Sequence, residues 1–170
     1  MKLSLSILIL SLGICLSSCC SQKKATNGNI ILKTTLFKNG NETLSLLKNK
    51  SIDTTTKNNS LAYELKTNTT TDVIQYSYEI DMDQAAYDGG LREELLFEIP
   101  QGDFEFNLTN NELQKTKMLF GRYCYCRGQN GVFKITNGSL NISRQSGKVT
   151  LAINFHQDSV PQKIKTTSVE

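Results

Sequence analysis

The chain has 170 residues, 19 Lys and Arg against 16 Asp and Glu, and a formal charge of +3. That length suits one domain with a real core. The small charge, with no basic stripe interleaved with aromatics, argues against nucleic acid as a partner. Two prolines, no Trp and many Thr and Asn residues fit a β-rich exported protein.

The chain opens with Lys2 and an apolar run from Leu3 to Leu16, about 14 residues, short of the ~20 that a spanning helix needs. A charge, a short apolar core and then small residues make a signal-peptide pattern. Leu16-Ser17-Ser18-Cys19 resembles the lipobox of bacterial lipoproteins, of a Gram-negative, Bacteroidota kind. The resemblance implies a diacylglycerol on the Cys19 thiol, cleavage after Ser18 and acylation of the new amino group, palmitate included. Two or more such chains anchor a protein stably to a bilayer. Cys15 is a rival acceptor, but Ile14 before it is too bulky for the pattern. In enteric lipoproteins an Asp directly after the lipidated Cys is the inner-membrane retention signal; residue 20 is Cys, so the resemblance implies the outer membrane. The polar, basic stretch 21–29 reads as a flexible tether and points to the periplasmic side. The expected organisation is a signal peptide at 1–18, a tether at 19–29 and one domain at 30–170.

Period-2 segments then recur. Strands are expected at 30–37, stopped by Asn39-Gly40, and at 43–47, 61–65 and 73–80. Residues 48–60 are polar and read as a loop. Residues 84–90 read as a loop, with at most one helical turn. A strand is expected at 94–99, ended by Pro100, and residues 111–118 suit a short helix or a strand. Val132 to Thr136 alternates, and Asn137-Gly138 is a two-residue hairpin signal. That turn would pair Ile135 with Leu140 and Phe133 with Ile142. A turn at 144–147 would pair Ile142 with Val149 and Leu140 with Leu151, on the same face. Ile153 and Phe155 continue that face and His156 ends the other. The expected fold is all-β: a single antiparallel β-barrel or β-sandwich domain with a C-terminal three-stranded meander. Its tandem hairpins look like those of small lipocalin-like or β-sandwich lipoproteins of Gram-negative bacteria.

Tyr123-Cys124-Tyr125-Cys126-Arg127-Gly128 is the one local constellation that invites chemistry. On an extended strand the two Cα atoms would lie roughly 6.5–7 Å apart, near or past the limit for a disulfide. The thiols suit a soft metal, Cu or Zn, or one disulfide with Cys20, or burial as small apolar groups. A five-residue loop at 127–131 would turn Tyr123 and Tyr125 inward and both thiols outward. A turn at Asn130-Gly131 alone would bury the thiols. His156, the only histidine, reaches them only if a barrel closes. With Cys19 acylated and Cys15 removed, Cys20, Cys124 and Cys126 remain, an odd number.

From Asp72 to Glu105 there are ten acids and one base, Arg92. This reads as a solvated face, and the acidic segment 81–105, with Tyr87, Phe97, Phe104 and Phe106 nearby, is a candidate ligand surface. The loop from Asp81 fails the EF-hand pattern, with Ala85 in the fifth position and Arg92 in the twelfth. Asp83 and Glu94 are a possible acid/base pair, but no catalytic residues are assigned. The functional expectation is a non-enzymatic, membrane-anchored envelope module that binds a ligand or aids envelope assembly. The lipid bilayer is its expected partner, and no cofactor is expected beyond the covalent lipid at Cys19. The alternatives are a copper- or zinc-handling lipoprotein using Cys124 and Cys126, and an inhibitor of an extracellular enzyme.

Overall fold

Alternating and β-branched segments become strands throughout. A computed structural model describes residues 30–32, 40–80 and 90–169. Cys19, Cys20, Asp83, Tyr87 and all of the 84–90 loop except Gly90 lie outside the described residues. The strands are β1 (Ile30–Leu32), β2 (Asn41–Leu47), β3 (Lys50–Lys57), β4 (Ser60–Thr67), β5 (Thr71–Ile80) and β6 (Leu91–Pro100). They continue as β7 (Phe104–Thr109), β8 (Leu119–Cys124), β9 (Gly131–Lys134), β10 (Gly138–Gln145), β11 (Lys148–Phe155) and β12 (Thr166–Val169). A short 3₁₀ helix, Asn110–Thr116, links β7 to β8. The protein is an all-β, sandwich-like fold. An eight-stranded sheet in the order β1-β2-β5-β6-β8-β9-β4-β3 faces a four-stranded sheet, β12-β11-β10-β7.

The central strand β6 is buried on both faces, and its two parities serve two cores. Leu95, Phe97 and Ile99 point to the small sheet, where they meet Leu140, Ile142, Leu151, Ile153 and Phe155. Leu96 points the other way, to Val73, Leu119 and Ile52 of β3, with Leu61, Tyr63 and Leu65 of β4 alongside. Strands β4 and β3 come last in the sheet order, yet they cover β5, β6 and β8. The large sheet therefore curls over itself, and the β3–β4 hairpin forms a flap. Side chains tie the flap down where no backbone ladder does. Glu98 accepts from the Ile52 amide (2.6 Å), and Lys117 Nζ donates to Glu98 (2.7 Å) and to the Ile52 carbonyl (2.9 Å).

A C-terminal three-stranded meander is present, but β10, β11 and β12 build it in place of the expected segment 132–136, β10 and β11. Its first expected hairpin is a correction. β9 pairs with β8 and β4, whereas β10 pairs with β11 and β7. Asn137-Gly138 is where the chain leaves one sheet for the other. Gly138 is needed there for a close approach: a Cβ would lie 2.3 Å from the Asn154 carbonyl oxygen, and φ is +144°. The partner that displaces β9 is β7, whose Leu108 sits opposite Leu140. The β10–β11 turn is tighter than expected, Ser146-Gly147 with positive φ at both positions. Ile142 pairs with Leu151 and Leu140 with Ile153. The register moves by two residues, so the buried face stays as expected.

Residues 48–60, expected as a loop, contain all of β3 and the start of β4. Three consecutive threonines suit a strand, Ile52 anchors it to the second core, and Asn58-Asn59, both with positive φ, turn the hairpin.

Candidate functional site

The cysteines lie where β8 ends and the loop to β9 begins. β8 stops at Cys124 and the chain bends at Tyr125. Because the strand does not continue, the Cα atoms of Cys124 and Cys126 are 5.1 Å apart and the sulfurs are joined as a disulfide. The objection raised by an extended strand thus falls away. Arg122 pairs with Gly131 and Phe120 with Phe133 around a connection of residues 125–130, so both the expected 127–131 loop and the expected Asn130-Gly131 turn are corrected. The loop closes through the Gln129 amide, which donates to the Cys126 carbonyl (3.1 Å). Tyr125 stands between the cysteines at 84% exposure, not in the core. Cys124 and Cys126 are half-buried, and with Tyr125, Arg127 and Asn130 they line a hollow of about 360 Å³.

Asn130 also lines a second, larger cleft of about 490 Å³. It exists because β9 and β4 share a single residue pair, Leu61 opposite Val132, and part beyond it. Ser60, Thr136, Gln157 and Ser159 add hydroxyls and an amide, Lys134 adds a cation, and Leu61, Val132 and Phe133 add apolar surface. Gln157 is held in place by its backbone N–H, which donates to Gln162 Oε1 (3.0 Å). His156 lines neither hollow. It is exposed and pairs with Asp158 at 2.8 Å.

Behind this end of the sheet lies a buried carboxylate. Glu94 Oε1 accepts from the Tyr63 hydroxyl (2.7 Å) and from the Tyr123 hydroxyl, and Oε2 accepts from Gln75 (3.3 Å). Gly121 leaves the room: a Cβ there would come within 2.9 Å of Glu94 Oε1. Burial, and then the Glu94 carboxylate, hold the Tyr63 and Tyr123 phenols protonated far above the usual tyrosine range. Burial, and then Glu42, whose Oε2 lies 2.7 Å from the Tyr76 hydroxyl, do the same to Tyr76. The folded state thus keeps protons that an unfolded chain gives up near pH ~10. Their contribution to stability is complete below about pH 10 and falls as pH rises beyond it. An alkaline titration followed by near-ultraviolet absorbance should show these three phenols ionising only as the fold opens. Reversible ionisation of all three near pH ~10 in an intact fold would contradict this arrangement.

Among the described residues, the acidic stretch is only in part the solvated face that its composition suggests. Glu93, Glu94 and Asp72 are buried, and so is Phe97. Phe104 and Phe106 are half-buried against the main core, with ring centroids 5.0 Å apart. Glu79, Asp103 and Glu105 remain exposed. The expected ligand surface over 81–105 is therefore not a contiguous patch among the described residues. Sequence reading found the cysteines but missed the cleft, whose lining comes from three separate stretches of chain. Glu94 was singled out for a different partner: the structure gives it two tyrosines, while Asp83 lies outside the described residues. Among the described residues, no group of three or more His, Cys, Asp and Glu side chains is placed to hold a metal ion, and no helix is long and apolar enough to cross a membrane.

Compared with protein-family models, curated proteins and solved structures, the chain matches none.

Proposed function

We propose that this is a lipid-anchored envelope protein of the bacterial lipoprotein kind. It sits at the outer membrane on the periplasmic side and holds a polar ligand without transforming it. The observation that carries the anchor is Leu16-Ser17-Ser18-Cys19 directly after a short apolar run. Support for the binding role comes from the cleft between β4, β9 and residues 157–159. Hydroxyl and amide side chains and one lysine converge there around a small apolar floor, as in sites that orient a ligand through a few placed polar groups. Cells fed labelled palmitate should incorporate it into the protein, and Cys19→Ser should release the protein from membranes. A Cys19→Ser variant that stays membrane-bound, or a wild type without label, would sink the proposal.

The second reading is copper or zinc handling. It is favoured by the closeness of Cys124 and Cys126, 5.1 Å apart at Cα, since two thiolates so placed are near enough to share one soft ion once reduced. Reduced protein should bind Cu(I) in a titration. If the Cys124→Ser/Cys126→Ser variant binds Cu(I) equally well, the metal reading is wrong.

A further inference from the structure

We infer that the Cys124–Cys126 disulfide is a thiol–disulfide exchange site, taking two electrons from a pair of cysteine thiols on a protein or peptide partner. The inference goes beyond the anchored binding role and does not depend on it.

The first argument is what the bond fails to do for the fold. A disulfide stabilises by closing a loop of the unfolded chain, and the effect shrinks with the loop. Here the sequence separation is two, so the enclosed loop is close to the smallest possible. Cys124 is the last residue of β8 and Cys126 lies in the connection that follows directly, so the bond ties no second strand to β8. Sheet packing rests on residues elsewhere, in the two cores and in buried ion pairs.

The second argument is access and charge. Exchange needs a thiolate to reach a sulfur, and the bonds that are exposed are the labile ones. Both cysteines are half-buried and line an open hollow at the loop tip. Arg127 lines the same hollow, and a neighbouring cation favours the thiolate that leaves. Arg92 adds a second positive charge next to the loop, with its guanidinium 4.5 Å from the Tyr123 ring centroid. Tyr125, between the two cysteines in sequence, lines the same hollow and offers a partner an exposed aromatic side chain there. Such rings are favoured at protein contacts because they combine a large apolar area with a polar tip.

The step balances as follows. A partner thiolate attacks one Sγ, a new S–S bond forms, and the Cys124–Cys126 bond breaks with its electron pair on the other sulfur. A second partner thiolate attacks the partner sulfur of this mixed disulfide and expels the remaining protein thiolate. The partner leaves as a disulfide, and the two protons lost by its thiols are taken up by Cys124 and Cys126. Repeated turnover needs an external disulfide or quinone oxidant; a single turnover needs none.

The test uses the full chain with Cys15, Cys19 and Cys20 replaced by serine, so that only the Cys124–Cys126 pair is redox-active. The oxidised protein is mixed with an equimolar synthetic peptide carrying two cysteines. Expected products are the peptide disulfide and a protein heavier by two hydrogens. The reaction should run at least about tenfold faster than with the same concentration of glutathione disulfide, as an activated leaving thiolate requires. Neither single variant, Cys124→Ser or Cys126→Ser, holds a disulfide to be attacked, so neither should oxidise the peptide, and Tyr125→Ala should slow the transfer several-fold. Cys124→Ser/Cys126→Ser should unfold at the same temperature as the oxidised protein. A peptide that stays reduced, a rate no better than that of glutathione disulfide, or a marked loss of thermal stability in the double variant would each overturn the inference. The last of these would make the bond structural.

Discussion

Glu93→Ala is expected to be the most damaging single substitution in this protein. The Glu93 side chain is fully buried. One carboxylate oxygen accepts from Arg122, and the other accepts from the backbone amides of Lys163 (2.7 Å) and Ile164 (2.9 Å). Removing it strands a buried guanidinium, at about 3–5 kcal/mol, and leaves two backbone donors unpaired, at about 1–3 kcal/mol each. The sum approaches the whole stability of a typical domain, about 5–15 kcal/mol. Denaturant unfolding should therefore find Glu93→Ala largely unfolded or barely stable. Glu93→Gln keeps one good acceptor and should fall in between, with faster hydrogen exchange at Lys163 and Ile164. A Glu93→Ala protein within about 1 kcal/mol of wild type would show that this carboxylate does not hold the C-terminal segment, since that is the ordinary cost of a point substitution.

The second large effect lies at the other end of β6. Asp72, opposite Ile99, reaches across to Arg144 of the small sheet at 2.8 Å. Its other oxygen accepts from the Asn49 amide (2.9 Å) and from Gln101 (3.3 Å). Arg144→Ala should cost about 3–5 kcal/mol, because it leaves the Asp72 charge buried without its cation. Adding Asp72→Asn to that variant should recover part of the loss, since a neutral amide in the same place has no charge to compensate. A double-mutant cycle should give a coupling of about 0.5–3 kcal/mol. Strict additivity would mean that the two residues do not stabilise one another.

These two carboxylates show how far a sequence can be read. Faces were legible. Leu140, Ile142, Leu151, Ile153 and Phe155 alternate, and all five are buried on one face. Pairing was less legible. Asn137-Gly138 carries the local signature of a hairpin, but β10 has a better partner in β7, a segment with ordinary alternation and no turn signal of its own. Local patterns cannot choose among several strands with compatible faces. The same limit hid the flap. Residues 50–57 carry one buried apolar side chain, Ile52, and nothing nearby in sequence says that Leu96 and Leu119 await it. In the candidate site the cysteines were visible as a motif. Their disulfide was not, because the spacing argument assumed an extended strand and the strand ends at Cys124.

What the sequence determined by itself was period. Side-chain alternation is local, so it sets which residues point inward wherever a strand forms, and the proposed address rests on Leu16-Ser17-Ser18-Cys19, a continuous segment that needs no fold to be read. Only the tertiary structure decided the burial of the acids. A carboxylate can leave water only if donors meet it, and the donors for Glu93 arrive from 29 to 71 residues away in the chain. Composition reports the charges. Whether they end in solvent or between two sheets depends on which distant backbone reaches them.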